Sequence, residues 1–302
     1  LQRHTVTGST IVLADELEYG LEPHRVVSLL RSLGSKDSEP QRQVFATTHS
    51  PIALRELNGS QLTVIRPTAD DHFVANIGQT DQLQGTIRLF PEAFLARSVI
   101  VCEGATEVGF LRGVDVYRAD HGAPSFTALG ASLVDIGGGH PDKAYERALA
   151  FQKLGYRVMV VRDADIQPNP LLEAEFTQNH GQVLHWQAPL FLEQQLFNSL
   201  PSDACIDLLY RAIEHHEDLV DSHLRTVSDG TMGSQTIIDE QLTTGALSQE
   251  TRACLGRAAS QKRGWFKSIG IMEAVTRDII APALNRSAPD LLTIMSELSI
   301  WV

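Results

Sequence analysis

The chain has 302 residues, enough for one large domain or two ordinary ones, and its 43% hydrophobic and 21% charged content is that of a soluble globular protein. A net charge of −12, from 25 Lys+Arg against 37 Asp+Glu, argues against nucleic-acid binding through a broad basic surface, although bound cations can turn an acidic cluster into a phosphate site. No apolar stretch approaches the roughly 20 residues that span a bilayer, so no membrane partner is expected; three scattered cysteines, Cys102, Cys205 and Cys254, make neither a disulfide framework nor a zinc set and point to a reducing cytoplasm.

The opening residues, Leu1-Gln-Arg-His-Thr5, form no signal peptide and lack an initiator Met, so the chain reads as a fragment or processed product of a longer protein. Thr10-Ile-Val-Leu-Ala-Asp-Glu16 reads as a strand ending in two acids. A helical pattern runs from Val26 to Leu33, with strands at Gln43 to Thr48 and Leu62 to Ile65. Residues 71–96 are mixed and polar and read as a linker.

A second α/β unit starts near Arg97. Its strand 98–102 leads through Gly104, which would allow a tight passage, into a helix from about Thr106 to Arg118. Ala131 to Ile136 is a further strand meeting the turn Gly137-Gly-Gly139. Asp142 to Leu154 has helical spacing, strand 156–161 follows, and Val183 to Trp186 closes the series. This β-α-β-α-β order predicts a parallel sheet flanked by helices. From Phe191 onward the pattern is helical, at 193–200, 202–227, 248–259 and 265–284, with Pro201 a helix-start signal and 228–247 a loop.

The chemistry concentrates in two acidic groups. Glu103 and Glu107 follow the apolar run Ser98 to Cys102; Asp163 and Asp165 follow Tyr156 to Arg162. Buried parallel strands are apolar on both faces, and ligands bind at their carboxyl ends. Either pair alone reads as strand-end acids meeting solvent or a helix. Two pairs on consecutive strands predict oxygen ligands for two hard cations and phosphoryl-transfer chemistry. Asp135, beside three glycines, reads as structural. His215 and His216 are adjacent on a helix and diverge, so joint metal binding is not expected.

Glu103-Gly-Ala-Thr-Glu107 followed by Asp163-Ala-Asp165 resembles the Toprim domain of topoisomerases, primases and some nucleases. Upstream, Ile11-Val-Leu-Ala-Asp-Glu16 resembles a Walker B strand, and Thr48-His49-Ser50-Pro51 a switch-histidine loop of an ABC-type ATPase. The ordered set is similar to the C-terminal portion of an OLD (overcoming lysogenization defect) family nuclease. That resemblance implies a partial ATPase unit at 1–70, a Toprim core at 97–190 and a helical region at 191–302 that contributes late site residues.

The resemblance further implies Mg²⁺ or Mn²⁺, in two ions, held by Glu103, Glu107, Asp163, Asp165 and Glu193. Lys262 would stabilise transition-state charge, with Lys267 its neighbouring competitor. DNA is the implied partner, a homo-oligomer the implied full-length state, and anti-phage defence the implied setting. Asp15, Glu16 and His49 match ATPase positions, but no G-x-x-x-x-G-K-[ST] phosphate loop exists in the sequence, so ATP belongs only to a full-length context. The expected activity is therefore a metal-dependent DNA endonuclease or nickase. The alternatives are topoisomerase- or primase-like chemistry, for which Tyr210 is the one tyrosine in the helical region, or a non-catalytic dimerisation fragment.

Overall fold

The computed structural model describes residues 10–38, 42–68, 70–78 and 81–302. These divide into two compact units, the described residues up to Ala96 with Lys153–Gly155, and Arg97–Gln152 with Tyr156–Val302.

In the first unit, β1 (Thr10–Ala14) pairs in parallel with β2 (Arg42–Ala46), Val12 opposite Val44. Helix α1 (Pro23–Ser32) joins them, its Pro23 at a position where a missing N–H costs nothing. Val26 and Leu30, one turn apart, bury against Leu17 and Ala53. Helix α2 (Pro51–Glu56) is capped by Ser50, whose side chain accepts from the Ala53 N–H. An antiparallel pair follows, β3 (Thr63–Pro67) with β4 (His72–Asn76). Then come α3 (Asp81–Leu89) and α4 (Glu92–Leu95). The stretch 71–96, which reads as a linker, thus carries a strand and two helices. Its apolar residues Ile77, Leu83, Ile87, Ala93 and Phe94 are buried, whereas a solvated linker would leave such side chains in water.

The second unit is built on β5 (Ser98–Cys102), α5 (Ala105–Asp120), β6 (Ala131–Asp135), α6 (Asp142–Lys153), β7 (Arg157–Arg162), α7 (Pro170–Gln178) and β8 (Gln182–His185). The four strands form one parallel sheet in the order β6-β5-β7-β8, with Val101 level with Val134 on one side and Val160 on the other. Every β5 residue is buried, as a central strand covered on both faces must be. Ile100, Cys102, Met159 and Val161 join the main core with Phe110, Leu111 and Trp186. Val99, Val101, Val158 and Val160 alternate with them along the strands and are equally buried.

The chain then becomes helical: α8 (Leu192–Ser199), α9 (Ser202–Val227), α10 (Ser234–Thr244), α11 (Gln249–Ala259), α12 (Ile269–Val275), a π-helical turn (Thr276–Ile280), α13 (Ala281–Ala283) and α14 (Pro289–Trp301). The stretch 228–247, which reads as a loop, contains α10. Its N-terminus is fixed by the Ser234 N–H donating to Asp221 Oδ1 at 2.7 Å, its Ile237 is buried, and Gly245 ends it at φ 74°. Helix α9 breaks at His216, whose Nε2 lies 3.1 Å from the Trp265 carbonyl. No helix among the described residues is long and apolar enough to cross a membrane.

Candidate metal centre

The register of the sheet brings the acids together. Strands β5 and β7 are paired as far as Cys102 and Val161, and the Glu103 N–H extends the ladder by donating to the Val161 carbonyl at 3.0 Å. Side-chain Oε2 of Glu103 then accepts the main-chain N–H of Asp163 at 3.2 Å, which links two acidic strand ends sixty residues apart. Glu107, in the first turn of α5 and only 4% exposed, accepts the Gly104 N–H at 2.9 Å. Gly104 is extended (φ −158°, ψ −173°), so backbone freedom is not what selects glycine there; an added Cβ would rest 3.5 Å from Glu107 Oε2.

Glu193 enters from the first turn of α8 and is 2% exposed. At the start of the same helix the Leu192 N–H donates to Asp163 Oδ1 at 2.9 Å, a helix-end donor aimed at a carboxylate. Strand β7 ends at Arg162, and Ala164-Asp165 lies in a bend beyond it. The charge of Asp165 nevertheless acts on both Glu103 and Asp163.

Burial dominates the electrostatics. It raises Glu107 well above the ordinary carboxylate range, and the charges of Asp163, Glu193 and Glu103 add to the rise. Burial likewise pushes Asp163 up to about 8, reinforced by Glu193 and Glu103. Glu103 is raised by burial, and Glu193 is raised by burial against the pull of Lys267. Such a group of acids stays together only with protons or cations to neutralise it. All of the donors are hard oxygens, the ligand type that divalent Mg²⁺ and Mn²⁺ take. The buried Glu193 Oε1 has no hydrogen-bond donor, and Lys267 Nζ stands 3.7 Å away. Among the described residues no three His, Cys, Asp or Glu side chains close on one point tightly enough to cage an ion by themselves. Glu103, Glu107 and Asp163 each turn an oxygen toward a main-chain N–H instead. The donor chemistry fits divalent cations, and each of these carboxylates has a second oxygen besides the one held by the main-chain N–H.

The two candidate lysines are separated by the fold. Lys262 is exposed in the turn after α11, whereas Lys267 meets Glu193. Sequence reasoning missed Arg162, which is 3% exposed beneath the site. Its guanidinium donates to the Asp163 carbonyl (2.8 Å) and the Tyr145 hydroxyl (3.0 Å) and pairs with Glu173 (3.4 Å). A charged residue closing an otherwise apolar strand was the available signal. Asp135 accepts the Gly137 N–H at 2.7 Å, a turn-forming contact. His215 and His216 have ring centroids 6.3 Å apart, and Tyr210 is half exposed on α9.

In the first unit, Asp15 and Glu16 close β1 beside the end of β2. Thr47 Oγ1 donates to Asp15 Oδ1 at 2.6 Å and accepts the Glu16 N–H at 2.8 Å, with Glu16 held at φ 44°. The His49 N–H donates to Glu18 Oε1 at 2.7 Å, so Glu18, absent from the sequence-based candidates, ties the histidine segment to the acidic one.

Comparisons with known proteins bear on both units. Residues 2–55 match the family model described as "AAA domain, putative AbiEii toxin, Type IV TA system". Residues 94–165 match that of the "Overcoming lysogenization defect protein-like, TOPRIM domain", a range that includes Glu103, Glu107, Asp163 and Asp165. An AAA-type segment followed by an OLD-like TOPRIM domain is the arrangement that the motifs resemble, and it supports a TOPRIM-type nuclease or a related nucleic-acid-acting function. No curated protein matches the chain.

Proposed function

We propose that this chain is a metal-dependent DNA endonuclease or nickase that hydrolyses phosphodiester bonds at the carboxyl ends of β5 and β7. The observation that carries the reading is the meeting of four buried or half-buried carboxylates from two strand ends and two helix starts, all raised by burial. Glu103, Glu107, Asp163, Asp165 and Glu193 would hold Mg²⁺ or Mn²⁺. When bound, such ions neutralise the phosphate and supply an activated water for in-line displacement. The residues themselves act by position: Asp163 is oriented by the Leu192 N–H, Glu107 by the Gly104 N–H, and Glu103 by the Asp163 N–H. Lys267 is the cation that offsets charge gathering on the phosphorus, because it faces Glu193 while Lys262 lies in an exposed turn. ATP turnover does not belong to this chain alone, which has the Asp15, Glu16 and His49 segments without a phosphate-binding loop.

Supercoiled plasmid incubated with the purified chain and Mn²⁺ tests the reading. Conversion to nicked or linear DNA, stopped by EDTA, is the expected result. Intact plasmid under all metal conditions overturns it.

A further inference from the structure

We propose that the loop from Gly137 to Lys143 is a second phosphate site, which grips the DNA backbone phosphate next to the one that is cut through Lys143 Nζ and His140 Nε2. The inference rests on the nuclease reading of the neighbouring acids and extends it to substrate positioning.

The loop leaves β6 on the strand side opposite β7. It is tied to the acidic centre by the Gly138 N–H, which donates to the Glu103 carbonyl at 2.8 Å. Gly137, Gly138 and Gly139 are all left-handed (φ 80°, 76° and 109°), a run that side chains would strain. At Gly139 the missing side chain has a use. A Cβ there would lie 3.0 Å from Lys143 Nζ, so glycine lets the ammonium rest against the loop. Lys143 is exposed and has no ion pair among the described residues. The N–H groups of Gly139 and His140 are likewise without a hydrogen bond among the described residues.

His140 is held with one nitrogen outward. Its Nδ1 lies 3.3 Å from Asp142 Oδ2 and 3.4 Å from the Asp142 N–H. A neutral ring accepting from the amide carries its proton on Nε2, and a protonated ring donates from both nitrogens. Nε2 is the ring nitrogen left free of these contacts, and it donates whenever the ring is protonated or carries its proton there. Asp142 Oδ1 also accepts the Asn169 N–H at 2.7 Å, which fixes the loop to the segment that follows Asp165.

Charge explains the need. DNA brings a line of phosphates to a chain of net charge −12, and ions at the carboxylates can neutralise only those phosphates they touch. Arg162 is buried and committed to Tyr145, Glu173 and the Asp163 carbonyl, and Lys267 faces Glu193. Lys143 is a further cationic side chain beside the acids, and His140 of the same loop lies near enough to Glu103 to act on it.

The full chain binding a fluorescent DNA duplex with Ca²⁺, and cutting it with Mn²⁺, tests the site over a series of salt concentrations. Lys143→Ala is expected to weaken binding and raise KM roughly fivefold, as loss of one exposed charge contact does. The slope of log affinity against log salt should become shallower by about 0.9. His140→Ala weakens binding in the same direction, and Lys143→Arg restores both affinity and slope. Arg211→Ala, which removes an equal charge paired with Glu214 on α9, leaves the slope unchanged. Wild-type cutting with unaltered KM and slope in Lys143→Ala overturns this site alone. A wild-type chain that neither binds nor cuts DNA overturns the nuclease reading and this site with it.

Discussion

The ammonium of Lys267 stands 3.7 Å from Oε1 of Glu193, a buried oxygen with no hydrogen-bond donor. Lys267 is itself about one-third exposed (36%), so it sits at the boundary between the carboxylates and any bound polyanion. Removing a donor aimed at charge that develops in a transition state costs about 100- to 1,000-fold in kcat. Lys267→Ala should fall in that range, and Lys262→Ala should stay within about twofold, as an exposed substitution away from the chemistry does. Steady-state cleavage of a labelled duplex separates the two. A large loss in Lys262→Ala with Lys267→Ala near wild type would reassign the role.

Glu103 does two jobs that substitution can split. Its Oε2 accepts the Asp163 N–H, and its charge belongs to the acidic cluster. Glu103→Gln keeps an acceptor for the amide and discards the charge, so the fold should survive. Cleavage should drop by at least about 100-fold, because even outer-sphere changes at metal sites cost 10- to 100-fold. Asp163→Asn should behave alike. Circular dichroism would show the unchanged fold, and full activity in both variants would defeat the metal reading.

Helix packing predicts an asymmetry between two glycines. A Cβ on Gly113 of α5 would lie 2.4 Å from Thr276 Cβ and 2.6 Å from the Glu273 carbonyl, both on the segment packed against it. Gly113→Ala must push those elements apart, at a cost of about 1–3 kcal/mol. Gly270, in α12, has open space around the same position, so Gly270→Ala should be neutral or stabilise by up to about 1 kcal/mol. Urea denaturation midpoints decide it.

Much of this was legible before the fold. The strand Ser98–Cys102 matches its apolar β-branched run residue for residue, because a central parallel strand has no polar face to blur its limits. The meeting of Glu103 with Asp163 was implied by two acidic strand ends in a β-α-β order. What stayed hidden depended on partners distant in sequence. Helix α10 is anchored by Asp221, thirteen residues upstream of the Ser234 that it holds. Within residues 71–96, Ile77, Leu83, Ile87, Ala93 and Phe94 are buried only through the fold of the first unit. That Lys267 and not Lys262 meets Glu193 depends on the position of α8, since both lysines lie in one short basic stretch. Arg162 was passed over because a strand-end arginine ordinarily faces water, and only Tyr145 and Glu173 make its burial tolerable.

Burial of the acidic cluster makes stability depend on pH and, on the metal reading, ion binding as well. In the folded chain burial holds Asp163 protonated up to about pH 8, with Glu193 and Glu103 adding to the effect. An unfolded aspartate ionises near its ordinary value, about 3.9. Between those limits the folded state holds more protons than the unfolded one, so without divalent ions stability falls as pH rises from about 4 to about 8. Glu107 and Glu193 are raised in the same direction and steepen the fall. Bound cations need the ionised carboxylates, so they oppose this loss most at the alkaline end. Thermal melts with Mn²⁺ and with EDTA, at about pH 5 and about pH 8, should show a small Tm difference at the first and a large one at the second. Glu103→Gln should shrink the difference at the higher pH. A Tm increment by Mn²⁺ that is equal at both pH values would mean that the ions bind somewhere other than these carboxylates.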